Sequence, residues 1–118
     1  MPVPAPHAAA LSRLPLREGE VSVLGSRTAV WDYGPLDADD VIVLVHGYRG
    51  DHHGLEPVVA QLDGIRIISP DLPGFGASTP LTEVPHSIAG YARWLESFVG
   101  QLDLPRPPVI LGHSFGSM

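Results

Sequence analysis

Three short, unbroken apolar runs constrain this chain most: VIVLVHG (41–47), RIISPD (66–71) and PPVILGHS (107–114). Valine, isoleucine and leucine follow one another in them instead of alternating with polar residues. A strand built from such a run is covered on both faces, which is the situation inside a parallel sheet. Parallel neighbours need long crossovers, usually helical, and the stretches between the runs have the right character. HSIAGYARWLESFVGQL (86–102) places Ile88, Tyr91, Ala92, Leu95, Phe98, Val99 and Leu102 three or four residues apart, the stripe of a helix that packs on a sheet. Gly90 weakens that helix by about 1 kcal/mol relative to alanine, less than burial of the stripe returns. GLEPVVAQLDG (54–64) is a shorter helix candidate, with Pro57 tolerable only in its first turn.

Ahead of the first run, EVSVLGS (20–26) and TAVWDYG (28–34) alternate with period two, and the Gly25-Ser26 link between them suggests a hairpin. The predicted order is β-β-β-α-β-α-β. It gives an α/β architecture: a mostly parallel sheet with helices on both faces, opened by an N-terminal β-hairpin. Residues 1–18, rich in proline and alanine, read as a flexible lead-in, and residues 19–118 as the folded portion.

Composition removes several classes of function. The formal net charge is −6 and the seven basic residues, all arginine, are scattered, so no footprint for nucleic acid or an anionic membrane surface exists. There is no cysteine, hence no thiolate nucleophile or Cys-type zinc site. The N-terminus lacks the basic and apolar regions of a secretory signal, and no run of about 18 apolar residues occurs. A cytoplasmic location is the default expectation.

Chemistry concentrates at the ends of the runs. Gly112-His113-Ser114-Phe115-Gly116 is a G-x-S-x-G pentapeptide placed directly after a buried-type strand, the context in which a sharp turn presents a nucleophilic serine. Gly112 and Gly116 leave room for the strained backbone on either side of Ser114. A plain strand-to-helix turn whose serine caps the helix has the same spelling. After the first run, VHGYRG places Gly47 where the backbone must come close, and the N–H of Tyr48 as an oxyanion donor paired with the N–H of Phe115. A simple glycine strand exit reads identically. In SPDLPGFGAST, Asp71 ends a strand and reads as a structural hydrogen-bond acceptor, while Gly74 and Gly76 permit an unusual loop path.

VIVLVHGYRG, DLPGFGAS and VILGHSFGS, in this order and spacing, resemble the N-terminal half of an α/β-hydrolase, especially the branch with HG oxyanion loops that holds carboxylesterases, C–C bond hydrolases and cofactor-free haloperoxidase relatives. The resemblance runs from about Val21 to Met118. It implies Ser114 as nucleophile, Tyr48 and Phe115 as backbone donors, a small-molecule ester or related acyl substrate, and neither cofactor nor metal. Dehalogenases and epoxide hydrolases of the same family place aspartate where Ser114 stands, so serine argues against both activities.

In the family the triad acid and histidine follow the serine, and here only Phe115, Gly116, Ser117 and Met118 do. None of the histidines suits the base role by position: His7 is in the lead-in, His86 begins a helix, His113 is an elbow residue and His46 lies at a strand end. His52 and His53, with Asp51 beside them, are the tempting substitutes, but an adjacent pair on a loop is usually a solvated helix start. A base must lie within hydrogen-bond reach of Ser114. The expectation is therefore a hydrolase domain truncated just after the elbow, close to inert alone. Its PPVILGH strand would be an exposed apolar edge prone to self-association. The alternative is a non-catalytic hydrolase-like binding protein.

Overall fold

The computed structural model describes residues 15–46 and 64–112. In chain order these form β1 (Leu16–Val23), β2 (Ser26–Tyr33), β3 (Val41–Val45), β4 (Arg66–Pro70), α1 (Ile88–Gln101) and β5 (Val109–Gly112). The helix candidate at 54–64 lies outside the described residues apart from Gly64.

β1 and β2 form the expected hairpin, in which Val23 pairs with Ser26 across a two-residue turn of Leu24 and Gly25. Both turn residues have positive φ, 48° and 85°. That is the type I′ geometry whose twist matches the strands it joins. β1 opens at Leu16, inside the stretch expected as lead-in, because pairing continues to Leu16↔Tyr33. Arg17 holds this end in place by donating to the Asp32 carboxylate at 3.0 Å and the Gly34 carbonyl at 2.8 Å.

The five strands lie in the order β1-β2-β4-β3-β5. β3 pairs in parallel with β4 and with β5, whereas β2 is antiparallel to both β1 and β4. The sheet is thus mixed: four strands share one direction and β2 alone runs against them. A two-residue hairpin turn reverses the chain, so β2 has no alternative.

The apolar runs are covered on both faces, as their composition requires. Val43, Val45 and Ile68 join Val23, Val30, Trp94 and Phe98 in the cluster beneath α1. Leu44 and Ile67 point the other way and pack with Tyr33. β5 is the exception, with Val109, Ile110 and Leu111 exposed by 63%, 42% and 43%. It has β3 on one side only among the described residues.

α1 starts at Ser87, whose hydroxyl accepts from the Gly90 N–H at 3.0 Å. Its buried line runs through Gly90, Trp94 and Phe98. The stripe read from the sequence is rotated relative to this, since Ile88 and Ala92 face solvent. Trp94 wins the central position because its indole N–H finds a buried acceptor, the Thr28 hydroxyl, at 3.1 Å, and its ring stacks on Phe98 at 5.1 Å.

Candidate active site

Parallel strands that share a direction deliver their exits to one edge of the sheet, and the crevice beyond that edge is where open α/β folds bind ligands. Here the exits of β3, β4 and β5 are adjacent, because β3 lies between the other two. Val45, the last residue of β3, is the register partner of Gly112, the last residue of β5. Gly112 therefore stands beside the strand exit that leads to Gly47. The other residues assigned to the site, Gly47, Tyr48, Ser114, Phe115 and Gly116, lie outside the described residues, as do His7, His52, His53 and His113. The chain reaches Tyr48 three residues after Val45 and Ser114 two residues after Gly112.

His46 follows β3 and is buried. Its Nε2 accepts the Leu72 N–H at 2.8 Å, so the lone pair on that nitrogen is occupied. The ring also meets Phe75 edge-on at 5.8 Å. His46 is bound into the scaffold and joins the exit of β3 to the loop after β4.

That loop, 72–76, is held from several sides. Asp71 is buried and acts as the acceptor its position suggested, taking the Ala77 N–H on Oδ2 at 2.9 Å. The Ser78 hydroxyl donates to the Asp71 carbonyl at 2.7 Å and accepts from the Ala29 N–H at 2.8 Å, tying the segment to β2. Gly74 and Gly76 have φ of 86° and 52°, so both take the left-handed path that side chains disfavour.

The fourth support comes from beside α1. His86 Nε2 accepts the Leu81 N–H at 2.8 Å. Its Nδ1 lies 2.8 Å from the Tyr91 hydroxyl, which donates to the Pro73 carbonyl at 2.8 Å. A backbone N–H can only donate, so the ring proton belongs on Nδ1 and points at Tyr91. Both nitrogens of His86 are committed, which removes it as a base. Sequence reading missed this arrangement. Tyr91 was counted for its apolar ring, and nothing in the spacing of residues 73, 86 and 91 signals that its hydroxyl reaches a loop carbonyl.

The strongest ionic feature among the described residues lies at the other end of β4. Asp32 accepts from Arg66 in two bonds, at 3.1 and 2.8 Å, and from Arg17 at 3.0 Å. Burial by itself would raise the Asp32 pKa, but the hydrogen bonds from Arg66 and then Arg17 outweigh it and hold the carboxyl below its usual value. The cluster joins three strands and takes no part at the exits. A shallow crevice of about 70 Å³ lined by Asp39, Asp40, Arg106 and Val109 also opens away from the exits, at the starts of β3 and β5. Among the described residues no three histidine or carboxylate side chains gather to hold a metal ion, and no helix is long and apolar enough to cross a membrane.

Comparison with known proteins agrees with this arrangement. A family model described as the alpha/beta hydrolase family matches residues 42–118. A haloalkane dehalogenase of Psychrobacter cryohalolentis is 38% identical over 76 residues, covering 62% of this chain and 25% of the relative. A biotin biosynthesis bifunctional protein of Cellvibrio japonicus is 42% identical over 82 residues, 66% of this chain and 14% of its own length. The chain thus spans a quarter or less of these relatives. Among solved structures, a membrane phospholipase A described as a bacterial virulence factor superposes with a TM-score of 0.78 at 22% identity, covering 93% of this chain and 34% of that one.

Proposed function

The chain belongs to the alpha/beta hydrolase family, and from that premise we propose that the protein is a carboxylesterase-like serine hydrolase acting on ester or related acyl bonds. Ser114 is the nucleophile. A histidine contributed from beyond residue 118, oriented by an acidic partner, takes the Ser114 proton as Oγ attacks the acyl carbonyl. The N–H groups of Tyr48 and Phe115 receive the oxyanion of the tetrahedral intermediate. The histidine returns the proton to the leaving alcohol, and water then attacks the acyl-enzyme by the same route.

The observation that carries this reading is the register pairing of Val45 with Gly112. It makes the strand exits that lead to Tyr48 and to Ser114 immediate neighbours on the same sheet edge, as acyl transfer requires of a nucleophile and its oxyanion donors. The Psychrobacter relative is a haloalkane dehalogenase, an activity whose family members place aspartate at the position that Ser114 holds here. Serine favours acyl chemistry over halide displacement.

The test is hydrolysis of short-chain p-nitrophenyl esters by the full-length protein and its Ser114→Ala variant, with a fluorophosphonate probe as covalent label. Loss of roughly 10³-fold or more in kcat is expected for the variant, together with loss of labelling at residue 114. Equal esterase activity in the two proteins overturns the proposal.

A further inference from the structure

The hydrogen bonds around the 72–76 loop form a continuous support that begins beside α1 and ends at β3. The His86 Nδ1 proton points at the Tyr91 hydroxyl, which donates to the Pro73 carbonyl at 2.8 Å. One residue earlier the Leu72 N–H donates to His46 Nε2 at 2.8 Å, and two residues later the Phe75 ring stands against the His46 ring at 5.8 Å. His86 itself is fixed by the Leu81 N–H on its remaining nitrogen at 2.8 Å and by edge contact with the Tyr91 ring at 5.5 Å. Gly74 lies so close to His86 that an added Cβ would come within 3.2 Å of the imidazole. Because His86 Nε2 accepts from the Leu81 N–H, its ring proton is on Nδ1 and the arrangement admits a single tautomer of His86.

We propose that His86 and Tyr91 are positioning residues for catalysis: they fix the 72–76 loop and, through it, the His46 ring at the exit of β3. This rests on the acyl-transfer reading above. His46 directly precedes Gly47 and Tyr48 in the chain, so a shift of His46 is passed along the backbone to the proposed oxyanion donor. Neither His86 nor Tyr91 touches substrate in this scheme. Their effect is on where a backbone N–H lies when the oxyanion forms, a contact made more strongly in the transition state than in the ground state.

The experiment uses the full-length protein and compares wild type, Tyr91→Phe, His86→Leu and His86→Gln in ester hydrolysis and in inhibition by a trifluoromethyl ketone, whose enzyme-bound hemiketal carries an oxyanion. Tyr91→Phe and His86→Leu should each lower kcat about tenfold with KM within twofold. That is a fraction of the roughly 10²–10³ lost when an oxyanion donor is removed outright. The ketone's Ki should rise by the same factor as kcat/KM falls. Glutamine accepts and donates through one amide, so His86→Gln should recover most of the loss.

If Tyr91→Phe keeps wild-type kcat and Ki while Ser114→Ala is inactive, this inference fails and the serine hydrolase reading stands. If Ser114→Ala is as active as wild type, that reading itself fails. Should His86→Leu not fold, Tyr91→Phe, which removes a single oxygen atom, carries the comparison. A kcat loss that only follows the folded fraction in each variant also overturns the inference.

Discussion

At the scale of single residues, Gly90 and Asp32 show how tertiary contacts set what a substitution costs. Gly90 has low helix propensity, and in an open helix its replacement by alanine would gain about 1 kcal/mol. Here it is buried and an added Cβ would run into the Pro85 carbonyl. Gly90→Ala should therefore destabilise by about 1–3 kcal/mol, the usual range for overpacking, read as a lower urea midpoint. Asp32 is a lone carboxylate between two guanidinium groups. Asp32→Asn should cost about 1.5–3 kcal/mol, the range for hydrogen bonds to charged groups. The pH dependence follows from the lowered pKa of the folded protein. The carboxylate's contribution is complete above its unfolded value of about 3.9 and fades as pH falls through the lower folded value. Urea midpoints of wild type and Asp32→Asn should differ at neutral pH and converge on acidification below about pH 4; a constant gap would contradict the assignment.

Among the elements, α1 carries the most information. Its existence follows from the three-and-four spacing of apolar residues, and its start from the Ser87 cap. Its rotation does not follow, because the three-and-four spacing is met by Tyr91, Leu95, Phe98 and Val99 without Trp94. Partnership with Thr28 turns the Trp94 edge inward. Trp94→Phe keeps most of the apolar surface and removes the indole N–H, so a cost of about 1–2 kcal/mol is expected, whereas Trp94→Ala should cost about 3–5 kcal/mol. Equilibrium unfolding of both proteins, with Thr28→Val to close the cycle, measures the bond separately from the packing. The hairpin was equally legible: alternation around Gly25 requires reversal, and the turn is displaced by one residue, to Leu24 and Gly25. The early start of β1 was hidden because Leu16 and Arg17 follow a proline-rich stretch, and their partners, Tyr33 and Asp32, are distant in sequence.

For the whole molecule, β5 is an edge of the sheet among the described residues. Its three apolar residues are exposed where β3 and β4 are covered. A polypeptide of these 118 residues should associate with rising concentration in size-exclusion chromatography, and Ile110→Lys should shift it toward the 12.6 kDa monomer; a wild-type monomer at all concentrations would count against this. By itself the sequence determined the class of the fold, the hairpin, the covered strands β3 and β4, and the main helix. Each of these depends on local chemistry: run composition and periodicity. Tertiary structure decided the strand order, the single reversed strand, the pairing of Val45 with Gly112, and the support running from His86 through Tyr91 and Pro73 toward His46. Those contacts join residues far apart in the chain, and their geometry exists only once packing has selected one register and one helix rotation among several that the same pattern allows.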